Sequence, residues 1–167
     1  IYGKQSNLNR SLKEKAVILA AELSGIQNLA ESSNPEEMNS FMKEMHSLLE
    51  TTVRMHHGQL VHFTGISLLA VFQEGKTTKA SGLLAVDTAC ELKERIQQEY
   101  KDQASFIKMG ITTGHIYITE IKTEAKNHHT LIGEAVNHAD KICQFAEAGQ
   151  ILMDQTTAEI VHKTYHY

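Results

Sequence analysis

Ten histidines in this 167-residue sequence could bind a metal ion or exchange protons near neutral pH. Six of them fall into two groups: His56, His57 and His62, and then His128, His129 and His138. Their spacings match no standard metal site. We therefore interpret them as surface histidines in loops and at helix ends.

Two other polar residues, Asn137 and Lys141, are four positions apart in a stretch with helical periodicity. That spacing places both side chains on one face of a helix. Asparagine has poor propensity for the middle of a helix, which points to a specific role for Asn137. Lys141 is open to two interpretations, as a functional cation or as a solvated helix lysine.

Composition limits the classes of function. Hydrophobic residues make up 41% and charged residues 22%, as in an ordinary single globular domain. The net charge of −4 gives no basic surface for nucleic acid or for anionic lipid. No apolar run approaches the ~20 residues that cross a bilayer. Cys90 and Cys143 fall in predicted helices without metal-like spacing, so we expect buried, reduced thiols.

The apolar periodicity predicts an α+β domain, with helices on one face of an antiparallel sheet. Residues 1–13 read as a linker or the end of an incoming signalling helix, and the start at Ile1 suggests a fragment of a longer protein. The predicted elements are a strand at Val17–Leu23, a helix from the Ser32–Glu37 start signal to His57-Gly58, strands at Gly58–Gly65 and Ser67–Gln73, a helix at Lys79–Lys101, a hairpin of Phe106–Thr113 and His115–Ile121, a charged loop at Glu120–His129, a helix at Gly133–Glu147, a strand at Gly149–Met153 and a helix at Thr156–Lys163.

Four segments resemble, in order and spacing, the signature segments of class III adenylate and guanylate cyclases. Ala16–Ile26 is similar to the strand that runs into Asp-Ile-x-Gly-Phe-Thr, and Leu60–Phe72 to Phe-x-Gly-Asp-x-x-Met-Ala-Val-Phe. Gly110–His115 is similar to a Gly-Ile-x-x-Gly strand turn, and His129–Ala146 to Tyr-Thr-Val-Ile-Gly-Asp-x-Val-Asn-x-Ala-x-Arg-Leu. The resemblance covers roughly residues 14 to 160. It implies a ferredoxin-like sheet and a cyclase-homology domain over residues 14–167, with the family's last strands missing.

The resemblance also implies a chemistry in which the ribose 3′-hydroxyl attacks the α-phosphate of a nucleoside triphosphate. Two metal ions held by two aspartates support that displacement. The first aspartate position holds Glu22 here, and the second holds Ile66, which offers no lone pair. Glu22 is either a solvated acid at a strand end or a carboxylate that still binds one metal. Magnesium or manganese would be the cofactor only if nucleotide binding is retained.

Other family positions are partly kept. Gly25 would allow a turn whose backbone binds phosphate. Lys108 aligns with a basic residue that the family directs at the triphosphate. The alternative interpretation of Lys108 is an exposed lysine on a strand. Asn137 matches the residue that orients the ribose. Lys141 replaces an arginine, and an ammonium loses the bidentate fork of the guanidinium.

The two base-selecting positions hold His62 and Thr130. Thr130 fits many bacterial members, whereas His62 is neither the lysine that selects adenine nor the glutamate that selects guanine. The sequence therefore predicts no preference between ATP and GTP.

Three functions remain open at this point. The leading hypothesis is a catalytically silent cyclase-homology domain that serves a bacterial signalling protein as a regulatory or dimerisation module. The first alternative is an active adenylate or guanylate cyclase, which would work as a heterodimer if a partner supplied both aspartates. The second is a sensor that binds ATP through Lys108 and Asn137 without turnover. The family implies a head-to-tail dimer that buries the faces near Asn137 and the Gly58–Phe72 hairpin. We expect a cytoplasmic domain that meets a membrane only through other parts of a larger protein.

Overall fold

The computed structural model describes residues 9–26, 31, 33–75, 77–100, 107–122, 124 and 127–165. Its elements follow the predicted order closely. They are β1 (Asn9–Leu23), α1 (Pro35–Met55), β2 (Gln59–Thr64), β3 (Ser67–Gln73), α2 (Ser81–Glu99), β4 (Ile107–Lys122), β5 (Asn127–Ile132), α3 (Glu134–Phe145), β6 (Ile151–Met153) and α4 (Gln155–Tyr165).

One six-stranded sheet organises the domain, with the strand order β2-β3-β1-β4-β5. The central strands β1 and β4 pair antiparallel along their whole lengths, from Asn9 opposite Ile121 to Leu23 opposite Ile107. Strand β6 pairs with β4 in parallel. The sheet is therefore mixed, not wholly antiparallel as predicted, because the chain crosses over through α3 before β6 begins.

The predicted hairpin at Thr113-Gly114 is wrong. Strand β4 runs without interruption from Ile107 to Lys122, and the chain turns back only between Lys122 and Asn127. Much of the predicted charged loop at Glu120–His129 is consequently strand. A glycine inside a strand also marks close approach of another element, and that is what Gly114 provides.

The N-terminal boundary also differs from the prediction. Residues 9–13 belong to β1 and pair with the far end of β4, where Lys13 lies opposite Tyr117. They are therefore neither linker nor helix. Residues 1–8 lie outside the described part of the chain.

The sheet carries a hydrophobic core on each face. Because successive side chains of a strand point to opposite faces, β1 contributes alternately to both. Val17, Leu19 and Ala21 pack in the core that α1 and α2 cover. Ile18 and Ala20 pack in the core that α3 covers. The helices therefore cover both faces, whereas the sequence predicted one.

Helix α3 touches the sheet at two glycines of β4. A Cβ added to Gly110 would lie 2.6 Å from the backbone nitrogen of Cys143 and 2.7 Å from the carbonyl oxygen of Ala139. A Cβ on Gly114 would lie 3.0 Å from the Cβ of Ala135. Both glycines therefore let the helix backbone rest directly on the strand.

The start and end of α1 follow from local chemistry. Asn34 caps the helix by accepting a hydrogen bond from the Glu37 backbone N–H, and the Glu37 carboxylate accepts from the Asn34 N–H in return. This capping box confirms the predicted helix start. At the other end, His56 is the C-cap.

The two cysteines differ in environment. Cys143 is buried against β4, and desolvation raises the pKa of its thiol to about 11. Cys90 is exposed on α2, so the expectation of two buried thiols is wrong for this residue. The predicted apolar face of this helix included Cys90, but the face that α2 buries is narrower and leaves Cys90 outside it.

A polar cluster joins the end of α1 to α2. The Glu91 carboxylate pairs with the His56 ring and, at 2.9 Å, with the Arg95 guanidinium. The hydrogen bond from His56 is the main cause that lowers the pKa of Glu91 below its ordinary value of 4.5. The ionised carboxylate therefore stabilises the fold, and its contribution is complete above that ordinary value and lost as the pH falls through the lowered pKa.

We predict that Glu91→Gln lowers the free energy of unfolding by about 1 kcal/mol at pH 7. The difference from the wild type should shrink as the pH is lowered toward 3, because the wild-type carboxylate takes up a proton as the pH falls through its lowered pKa. Urea unfolding at the two pH values measures it. Glu94→Gln, an exposed neighbour on the same helix, is the control and should change little. A deficit for Glu91→Gln that is as large at pH 3 as at pH 7 would contradict this assignment.

We also predict that Gly110→Ala destabilises the domain by about 2 kcal/mol, because its methyl group meets helix backbone that cannot rotate away. Gly82→Ala is the matched control. There the new Cβ would meet a methyl group of Ile160 at 3.2 Å, and alanine favours the helix by up to ~1 kcal/mol. Equal stability of Gly110→Ala and the wild type in urea unfolding would show that α3 does not rest on this strand.

Candidate functional site

Two grooves flank helix α3, and the predicted site residues divide between them. The first groove has a volume of about 300 Å³ and lies between α3 and the β2–β3 hairpin. Its lining includes Glu22, His62, Ser67, Asp140 and Gln144. The second has a volume of about 790 Å³ and lies between α3 and the far end of the sheet. Its lining includes Lys13, His115, Tyr117, Asn137 and Lys141.

Glu22 sits at the end of β1 with Ser67 opposite it on β3 and Lys108 opposite it on β4. The Lys108 ammonium lies 3.9 Å from the Glu22 carboxylate. Lys108 also donates to the carbonyl oxygen of Gln144, at 3.4 Å. Lys108 is therefore a half-buried, paired lysine, and its ammonium lies beside the carboxylate that the resemblance assigns to the first metal position.

Ile66 occupies the turn between β2 and β3. Its carbonyl oxygen accepts a hydrogen bond from the Leu23 backbone N–H at 2.7 Å, which holds this turn beside the end of β1. The side chain itself is 43% exposed. An apolar surface residue therefore occupies the position that the resemblance assigns to the second metal ligand.

The turn after β1 is only partly described. Gly25 adopts a φ of 82°, which favours glycine, and it is exposed. Ile26 is buried. Gln27, the last residue of the predicted phosphate-cradling turn, lies outside the described residues, so this part of the prediction remains untested.

The first groove does not fit the two-metal arrangement that the sequence resemblance implies. Magnesium needs several oxygen ligands in nearly octahedral geometry, but Ile66 supplies none and Glu22 already faces an ammonium. Across the described residues, no three His, Cys, Asp or Glu side chains lie close enough together to hold a metal ion. We therefore derive no catalytic step from a metal here.

Asp140 is a residue of the first groove that the sequence reasoning missed. Burial raises the pKa of its carboxyl, and the charge of His62 partly opposes this. Asp140, Cys143 and Gln144 share one flank of α3 and line the same groove. Their spacing of three and four residues could have indicated this flank from the sequence.

The second groove brings together Asn137 and Lys141. Both side chains are exposed, and the helix presents them to one cavity as their spacing predicted. Near them, the Lys13 ammonium lies over the Tyr117 ring, 5.9 Å from its centre. This groove is separate from the one that holds Glu22, so a single chain does not assemble the predicted residues around one ligand.

The remaining predicted positions are dispersed. Thr130 is exposed on β5, opposite Thr119, and lines neither groove. His62 lines the first groove, and His138 lines the second. His56 pairs with Glu91 instead of joining a histidine cluster. The side chains of residues 128 and 129 lie outside the description.

A family model described as the adenylate and guanylate cyclase catalytic domain matches residues 8–167. The chain belongs to this family. An uncharacterised protein of Mycobacterium tuberculosis is 22% identical over 145 residues, which cover 87% of this chain and 26% of the relative. The chain thus spans about a quarter of the length of this curated relative.

Solved structures agree on the cyclase fold. The adenylyl cyclase CyaB from P. aeruginosa is 20% identical and superimposes with a TM-score of 0.81, covering 92% of this chain and 83% of that one. A dimeric guanylyl cyclase domain of the RhoGC fusion protein from the fungus Blastocladiella emersonii is 15% identical. Its TM-score is 0.78, and the match covers 92% and 86% of the two chains. At these identities the likeness shows the fold alone. Among the described helices, none is long and apolar enough to cross a membrane.

Proposed function

We propose that this cyclase-family domain does not form cyclic nucleotides by itself and serves a signalling protein as a regulatory or dimerisation module. The observation that carries the proposal is the state of the two metal positions. Ile66 has no ligand atom, and Glu22 faces the Lys108 ammonium at 3.9 Å. In the family's chemistry, metal ions activate the attacking hydroxyl and hold the phosphates, so this loss removes the main catalytic contribution.

The division of the site residues supports an assembly of two chains. Asn137 and Lys141 line one groove, whereas Glu22 and His62 line the other. A head-to-tail pair would bring the first groove of one chain to the second groove of its partner. Such a pair would produce two composite clefts, each with Asn137 and Lys141 on one side and no metal-binding pair on the other.

Exposed apolar side chains support the same assembly. Phe145, at the end of α3, is 82% exposed, and Ile66, in the β2–β3 turn, is 43% exposed. Phe145 ends the helix that carries Asn137, and Ile66 lies within the Gly58–Phe72 hairpin, the two elements whose faces the family resemblance expects at the subunit contact. Aromatic residues and exposed apolar patches are common at protein interfaces.

We predict that the purified domain makes no measurable cyclic AMP or cyclic GMP with Mg²⁺ or Mn²⁺. The rate should lie at least about a thousandfold below that of an Asp-bearing family member, because losing metal stabilisation raises the barrier by several kcal/mol. Chromatographic product assays with ATP and GTP measure this.

The same assay with an added Asp-bearing cyclase domain distinguishes the alternative. Product that appears only in the mixture, and disappears with Asn137→Ala, would favour a heterodimeric cyclase. Product from the isolated domain would refute the proposal of catalytic silence.

We further predict a homodimer that Phe145→Glu or Ile66→Lys weakens at least tenfold, because each places a charge in the buried contact. Sedimentation velocity across a concentration series measures the dissociation constant. Met55→Lys is the control, since Met55 is 56% exposed outside both elements. A wild-type protein that stays monomeric at high concentration, or equal weakening by Met55→Lys, would contradict this interface.

A further inference from the structure

The pairing of Glu22 with Lys108 is built into the backbone of the sheet. The two residues lie directly opposite each other in the antiparallel β1–β4 ladder. Such partners hold their Cβ atoms about 5 Å apart on the same face. The register therefore keeps the two side chains within reach of each other while the central strand pair is intact.

Contacts with α3 hold Lys108 in place from the other side. Its ammonium donates to the carbonyl oxygen of Gln144 at 3.4 Å, in the last turn of the helix. Carbonyl groups there carry the negative end of the helix dipole, which favours a cation. The Cys143 thiol donates to the Lys108 carbonyl oxygen, also at 3.4 Å. Only 18% of the Lys108 side chain is exposed, compared with 34% for Glu22.

The position of the Lys108 ammonium opposes a further cation at Glu22. Asp140 and His62 line the same groove, but Lys108 is the cation that pairs with the Glu22 carboxylate, at 3.9 Å. A divalent ion at Glu22 would therefore meet an ammonium within a few ångströms of the carboxylate oxygens that must bind it.

We infer that Lys108 is the resident cation of this site and takes the electrostatic place of the metal at Glu22. The missing second carboxylate and an ammonium turned toward Glu22, instead of toward a triphosphate, would then both oppose metal binding. Replacing Ile66 by aspartate would supply a ligand but leave the ammonium where the ion must sit. This inference deepens the proposed loss of metal-supported catalysis and rests on it.

The test measures Mn²⁺ binding, by electron paramagnetic resonance of the free ion, in the full chain without nucleotide. Ile66→Asp alone should gain little affinity over the wild type. Ile66→Asp with Lys108→Met should bind Mn²⁺ at least tenfold more tightly than Ile66→Asp. Adding Glu22→Gln to that pair should abolish the gain.

The matched control replaces a different lysine, one that forms an ion pair elsewhere on the surface. Lys15 lies 4.0 Å from Glu74 on the surface, so Ile66→Asp with Lys15→Met changes the net charge equally and should not gain affinity. Lys108→Gln replaces Lys108→Met if the latter fails to fold, as judged by circular dichroism.

Two outcomes would overturn the inference: Mn²⁺ affinity of Ile66→Asp alone equal to that of the Lys108 double variant, or an equal gain in the Lys15 control. Neither result would revive catalysis in the wild type. Conversely, cyclic nucleotide formation by the wild type would refute the proposed function, whatever these variants bind.

Discussion

The close contact between α3 and β4 is the constraint on which the rest of the domain depends. Gly110 leaves room for the helix backbone at a position where any Cβ would lie 2.6 Å from it. The Thr112 hydroxyl donates to the Ala135 carbonyl oxygen at 2.6 Å, which fixes the helix along the strand. With α3 in this position, its two flanks form the walls of the two grooves. The helix also brings the Gln144 carbonyl group to Lys108.

Under the proposed function, the first groove belongs to a cyclase-type fold that no longer supports a metal site. The overall fold superimposes on a solved adenylyl cyclase with a TM-score of 0.81. What differs is the balance of charge. One ligand position has become the apolar Ile66, and the other carboxylate is neutralised within the protein by Lys108. A buried or half-buried carboxylate needs a partner, so an internal cation allows the site to remain stable without metal.

The sequence predicted the family, the element order and the capped start of α1, because these depend on local patterns. It failed where the meaning of a residue depends on distant contacts. Gly114 has the local signature of a turn, yet its role is to accommodate Ala135 of α3. Cys90 fits the apolar spacing of α2, yet the sheet does not cover it.

The same limit applies to the site. Resemblance identified Glu22 and Lys108 as separate candidates, and only the strand register showed that they neutralise each other. Asp140 was missed because its partners, including His62, come from another part of the chain. Asn137 and Lys141 were placed together correctly, because helical periodicity alone determines their shared face.

We propose that the wild-type site holds an ammonium where the family chemistry requires a metal ion. Nuclear magnetic resonance of the ¹⁵N-labelled domain titrated with Mn²⁺ tests it most directly, since the paramagnetic ion broadens the signals of amides close to it. The account predicts no selective broadening at the ends of β1 and β4, around Glu22 and Lys108, at Mn²⁺ concentrations equal to that of the protein. Selective and saturable broadening of those amides would contradict it.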